Sequence, residues 1–121
     1  MNDIAKRRIL VVEDETMIAL LIEDMLETLG CVVVGPTGRL EEAIRLAREE
    51  AFDAAILDVT IRGGQSFPVA EILRERDIPF VLASGYGEWA LPEAFRGNTR
   101  LQKPFTDAEF EGALNTVCAP R

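Results

Sequence analysis

Histidine is absent from this 121-residue chain. Its absence removes serine triads built on a histidine base, the commonest metal ligand, and phosphohistidine as the acceptor on this polypeptide. Cations are scarce as well: 13 Lys and Arg face 21 Asp and Glu, a formal charge of −8, with no basic run or arm. A nucleic-acid surface needs clustered cations to neutralise phosphates, so no nucleic-acid partner is expected. Cysteine is limited to Cys31 and Cys118, far apart, in apolar segments and without metal-ligand spacing. They read as free core thiols of a reducing compartment, and the expected location is cytoplasmic. Long hydrophobic runs are missing too. The stretch Ile9 to Val12 follows Lys6, Arg7 and Arg8 as an export signal's apolar region would, but it stops at Glu13, so neither export nor a membrane span is expected.

What is present is ordinary globular material, 48% hydrophobic and 28% charged. It suffices for one substantial core, and residues 1–121 are expected to form a single domain. The chain is organised around Ala54-Ala55-Ile56-Leu57-Asp58-Val59-Thr60, an uncharged apolar run that delivers one carboxylate to its carboxyl end. Such a run suits a central parallel strand covered on both faces.

Similar units precede and follow it. Arg8 to Glu13 reads as a first strand, after which Ile18, Leu21, Ile22, Met25, Leu26 and Leu29 recur at helical spacing up to a closing Gly30. Val32 to Pro36 reads as a second strand with its turn, and a second amphipathic helix is expected from Thr37 or Gly38 to about Glu50. The third strand, Asp53 to Leu57, leads through a Gly63-Gly64 turn to a helix starting near Ser66, with Pro68 tolerated in its first turn. Pro79 to Ala83 is a fourth strand. Leu91 to Arg96 holds at most one or two helical turns, and this region is expected to be the most mobile. Thr99 to Gln102 is a short fifth strand; Thr106-Asp107-Ala108-Glu109 then opens a last helix with a capping-box pattern.

Five alternations of strand and helix imply a parallel sheet with helices on both faces. Right-handed crossovers then align the carboxyl ends of all strands along one edge, where Glu13, Asp14, Asp58, Ser84 and Lys103 fall. Taken alone, Glu13-Asp14-Glu15 suits a helix amino terminus on dipole grounds, Ser84 suits a turn before Gly85, and Lys103 suits a pair with Asp14. Together they suggest a site. Carboxylates from Glu13, Asp14 and Asp58 meeting at one edge call for a divalent cation, and an all-oxygen set open to water and phosphate suits Mg²⁺. Lys103 and Ser84 across from them suit the oxygens of a phosphoryl group.

In these residues the chain resembles the response-regulator receiver domains of two-component signalling over essentially its whole length. The likeness rests on an acid pair after strand one, Asp58 after strand three, Ser84 after strand four and Lys103-Pro104 after strand five. It implies a flavodoxin-like sheet in the order 2-1-3-4-5. It also implies that Asp58 takes a phosphoryl group from a phosphohistidine on a sensor histidine kinase or a histidine phosphotransfer protein. By the same resemblance, Glu13, Asp14, Asp58 and the main-chain carbonyl of Thr60 hold Mg²⁺, while Lys103 and Ser84 engage the phosphoryl oxygens. Such a domain assists only its own phosphorylation and dephosphorylation, so it is not expected to be an enzyme acting on other substrates.

Departures from the usual receiver pattern bear on switching. Arg100 stands where most receivers carry an aromatic residue, Glu13 replaces the more usual Asp, and Arg62 stands where Pro is common. Phe80 to Gly87 instead resembles a subgroup, often lone receivers, with a Phe-Ala-Thr-Gly motif after strand four. With no effector segment in the sequence, output is expected to pass through a downstream protein partner or through competition for phosphoryl groups. Phosphorylation is expected to draw Ser84 inward and re-order residues 86–98, with Tyr86, Trp89 and Phe95 as candidates for a partner surface and at least one of them in buried packing. Rival readings are a pseudo-receiver that binds partners without phosphorylation and a haloacid-dehalogenase-type phosphatase. The latter lacks the second acid after Asp58 and room for a cap domain. A nucleotide-binding module lacks its glycine-rich loop, and a serine hydrolase at Ser84 lacks histidine.

Overall fold

The apolar runs become strands β1 (Arg8–Val12), β2 (Val32–Thr37) and β3 (Ala54–Asp58). A small hairpin of β4 (Thr60–Ile61) and β5 (Gly64–Gln65) follows, then β6 (Phe80–Ser84) and β7 (Arg100–Gln102). Between them run the helices α1 (Thr16–Thr28), α2 (Leu40–Glu49) and α3 (Phe67–Glu75), a 3-10 turn at Glu93–Phe95, and the last helix α4 (Asp107–Cys118). This computed structural model describes residues 4–85 and 91–118. The large sheet has the order β2-β1-β3-β6-β7 with every pairing parallel, which is the 2-1-3-4-5 arrangement of its five main strands.

Strand alternation divides the core in two. Ile9, Val11, Ala54, Ile56, Val81 and Leu101 pack beneath Ile22, Met25 and Leu26 of α1 and Phe110 and Leu114 of α4. Leu10, Val12, Ala55, Leu57 and Leu82 point the other way, onto Ala43, Leu46 and Ala47 of α2 and Val69, Ala70 and Leu73 of α3. All five residues of β3 are buried, as expected of a central strand under helices on both faces. Among the described residues no helix is long and apolar enough to cross a membrane.

The helix ends follow their local chemistry. Gly30, at φ +82°, closes α1; its N–H donates to the Glu27 carbonyl and that of Cys31 to the Leu26 carbonyl, the paired bonds of a Schellman ending. At the start of α4 the Thr106 N–H donates to Glu109 Oε1 at 2.9 Å, and the Glu109 N–H to Thr106 Oγ1 at 3.1 Å, a reciprocal capping box.

Two expectations are corrected. β2 runs on to Thr37 and α2 begins only at Leu40, because one extra residue at Gly35 (φ +94°) makes a bulge that returns Thr37 to pair with Val12. Leu21 shares the apolar spacing of α1 but is half exposed, as is Leu20 beside it. Of the candidate aromatics, Phe95 takes the buried role expected of at least one: it stacks on Phe67 at 5.5 Å between centroids, meets Phe80 edge-on at 6.2 Å, and lies under the Arg74 guanidinium at 4.6 Å. Tyr86 and Trp89 lie outside the described residues. Since the 3-10 turn is too short to hold itself, residues 91–98 are anchored to α3 and β6 by the buried Leu91 and Phe95, by the Arg74 guanidinium donating to the Ala94 carbonyl and by the Asn98 amide donating to the Phe80 carbonyl. Truncating the ring (Phe95→Ala) is expected to cost about 3 kcal/mol in urea unfolding. A loss near zero would mean that the aromatic cluster does not hold this segment.

Candidate functional site

Register brings the site residues to one edge. β1 and β3 pair as Val12↔Leu57, so Glu13 and Asp14, just past β1, stand beside Asp58, the last residue of β3. The Glu13 N–H donates to the Thr37 carbonyl at 2.9 Å, extending the β1–β2 ladder past the strand and holding Glu13 at the sheet. β3 and β6 pair as Asp58↔Ala83, which puts Ser84 one step beyond Asp58. Ser84 is buried, and its carbonyl accepts a hydrogen bond from the Lys103 N–H at 2.8 Å, so β7 carries Lys103 to the same place.

There the Lys103 ammonium lies 2.6 Å from Glu13 Oε1 and 3.0 Å from Asp58 Oδ2; Glu15 is farther, at 3.9 Å, and largely exposed. Lys103 therefore pairs with Glu13 and Asp58 rather than with Asp14 alone. Glu13 and Asp58 are buried and Asp14 half-buried, and the three offer carboxylate oxygens within 4.8 Å of one another. The Glu15 N–H donates to Glu13 Oε2 at 3.0 Å, and the Thr60 N–H reaches Asp58 Oδ1 at 3.4 Å. Nothing in residue type sets Glu15 and the Thr60 N–H apart from ordinary helix-start and loop positions, so neither contact is legible from sequence.

Three carboxylates against one ammonium leave the site short of positive charge. Burial pushes the Asp58 carboxyl up to about 7, helped by the hydrogen bond its protonated form makes with Glu13; the Lys103 ammonium opposes the rise without cancelling it. For Lys103, burial works against the charged form, but hydrogen bonds to Glu13 and Asp58 outweigh it and hold the ammonium above its ordinary range. Glu13 Oε1 is buried, with the Lys103 ammonium as its close partner. An oxygen-only donor set with excess negative charge fits Mg²⁺ and offers nothing to softer metals.

A doubly wound sheet that gathers acids at the ends of its central strands, opposite a lysine, has the architecture of a phosphoacceptor domain capable of holding Mg²⁺. Comparison with known proteins agrees. The family model described as the response regulator receiver domain matches residues 9–115. SdrG from Sphingomonas melonis Fr1, solved in solution, is 44% identical with a TM-score of 0.83, over 93% of this chain and 96% of that one. SdrG from Pseudomonas melonis Fr1, in its BeF3-activated conformation, is 43% identical with a TM-score of 0.79, over 95% and 98%. The transcriptional regulatory protein PdtaR of Mycobacterium tuberculosis is 31% identical over 112 residues, covering 89% of this chain and 55% of PdtaR. This chain thus spans about half the length of the curated relatives it matches. It belongs to the response-regulator receiver domain family. Receiver domains act on their own phosphorylation state and are not catalysts for external substrates.

The raised Asp58 carboxyl sets a pH dependence. Its folded-state pKa lies above the unfolded value, so its contribution to stability is complete below the ordinary carboxylate range and is lost as pH rises through about 7. In urea unfolding of metal-free protein, Asp58→Asn is expected to stabilise by about 3 kcal/mol more at pH about 8 than at pH about 5. Saturating Mg²⁺ should stabilise the wild type at the higher pH. An equal effect of the substitution at both pH values would show that Asp58 is not held protonated by its neighbours.

Proposed function

We propose that Asp58 is the phosphoacceptor of a two-component phosphorelay. The observation that carries this reading is the Lys103 ammonium 3.0 Å from Asp58 Oδ2, beside the oxygens of Glu13 and Asp14. The donor is a phosphohistidine on a sensor histidine kinase or a histidine phosphotransfer protein. An Asp58 oxygen attacks phosphorus; the bond from phosphorus to the imidazole nitrogen breaks, and its electron pair returns to the ring. Glu13, Asp14, Asp58 and the Thr60 main-chain carbonyl are the residues that would hold Mg²⁺, which when bound supplies charge neutralisation for the phosphoryl oxygens.

The protein's own groups do the rest. Lys103, already seated against Asp58, is placed to transfer its ammonium from the Asp58 and Glu13 carboxylates to a phosphoryl oxygen once Asp58 is esterified. On this reading Ser84, buried one residue past the Asp58 partner Ala83, donates its hydroxyl to a second oxygen. Water attack on phosphorus later returns inorganic phosphate and the free Asp58 carboxylate.

Output on this reading runs through the segment after β6 to a downstream protein partner, with residues 1–121 acting as one receiver domain. Arg100 is exposed on the edge strand β7, so no aromatic side chain moves inward there. Movement of Ser84 reaches residues 91–98 through β6 instead, where Phe80 meets Phe95.

Incubation with acetyl phosphate and Mg²⁺, followed by intact mass measurement, is expected to add one phosphoryl group to the wild type and none to Asp58→Asn. Omitting Mg²⁺ should slow labelling at least about tenfold, since neutralising transferring oxygens is worth orders of magnitude in such reactions. A wild type that stays unlabelled would favour the pseudo-receiver, and sustained hydrolysis of phosphate esters the phosphatase.

A further inference from the structure

We propose that Gly38 is a positioning residue for the metal ligand Asp14, acting through a brace formed by residues 37–40. The proposal rests on Glu13, Asp14 and Asp58 as the metal-holding acids. Its starting observation is a contact that admits no side chain. A β-carbon at position 38 would fall 2.7 Å from Asp14 Cα, 3.0 Å from Asp14 Cβ and 3.2 Å from the Glu13 carbonyl oxygen. The nearest of these atoms belongs to the main chain and cannot swing aside as the tip of a long side chain can. Gly38 is not among the residues with positive φ, so space and not backbone conformation demands glycine here.

The brace is fixed on both sides. Toward β1, the Thr37 carbonyl accepts from the Glu13 N–H at 2.9 Å. Toward the loop after Asp58, the Arg62 N–H donates to the Gly38 carbonyl at 3.1 Å, and the Leu40 N–H donates to the Arg62 carbonyl at 2.9 Å. Arg39 and Arg62 form the parallel bridge between these bonds. One short loop is therefore bonded to the segment that presents Glu13 and Asp14 and to the segment that follows Asp58. Main-chain bonds of this kind fix spacing more firmly than side-chain contacts do, and a metal site depends on its supporting groups as well as its ligands.

A methyl group at position 38 has to displace Asp14 or break the bonds to Arg62. A cavity of about 280 Å³ bordered by Asp14, Thr16, Leu20, Glu23, Gly38 and Arg39 adjoins the contact and leaves slack there. The fold absorbs the shift, and the spacing of Asp14 from Asp58 does not survive it. Linkage works in reverse as well: if the brace sets the spacing that the metal needs, metal binding must stabilise the brace.

Two measurements test this. Calorimetric titration with Mg²⁺ of the wild type, Gly38→Ala and Gly112→Ala is expected to show a Kd at least about tenfold weaker for Gly38→Ala. Gly112→Ala, where an added β-carbon would meet nothing beyond its own helix within 4 Å, should keep the wild-type value. Circular dichroism of metal-free Gly38→Ala should still report the native fold. Independently of any variant, Mg²⁺ saturation of the wild type is expected to slow amide hydrogen exchange at Leu40 and Arg62 several-fold. Either a folded Gly38→Ala with wild-type Mg²⁺ affinity or unchanged exchange at both amides would overturn the brace. A wild type that binds no Mg²⁺ would instead remove the metal-site reading beneath it.

Discussion

Like charge held in a nearly dry pocket is the constraint around which this structure is arranged. Glu13, Asp14 and Asp58 converge within 4.8 Å, and the Lys103 ammonium is the cation set among them. In water such crowding would matter little; with Glu13 and Asp58 buried, repulsion is screened far less. Asp58 answers by holding a proton toward neutral pH. The pocket thus has a standing demand for positive charge, which suits a cation and a phosphoryl group arriving with its own requirement for neutralisation.

The fold exists in a form that can impose this arrangement. β3 is buried along its length and fixed between β1 and β6, so Asp58 has no freedom to move to solvent. The edge strand β7 is only three residues long, yet the bond from the Lys103 N–H to the Ser84 carbonyl continues its ladder and delivers Lys103. On the opposite side, main-chain bonds tie residues 37–40 to Glu13 and to Arg62. Packing energy from the two core layers is what keeps these ends in register, since parallel strands have no short hairpins to do so.

Much of this was legible in residue order. The uncharged run before Asp58, the closing Gly30 and the pair Thr106 and Glu109 each carry a local physical signal, and each element formed where that signal lay. Strand ends then located the site, because a parallel sheet puts every carboxyl end on one edge. What escaped were features decided by tertiary contact. Gly35 reads as part of a turn and Gly38 as a possible helix start, although one makes a bulge that lengthens β2 and the other makes room for Asp14. Leu20 and Leu21 fit a helical apolar pattern wider than the face that α1 buries. Phe95, in a stretch with weak periodicity, gave no hint of the three groups that enclose it.

The most direct test of the account is the titration of Asp58 itself, followed by the carboxyl ¹³C chemical shift of labelled protein with and without Mg²⁺. Metal-free Asp58 is expected to titrate at about 7, and saturating Mg²⁺ to drive it down into or below the ordinary carboxylate range. An Asp58 that titrates as a solvated aspartate in both conditions would contradict the claim that crowded, buried carboxylates organise this site.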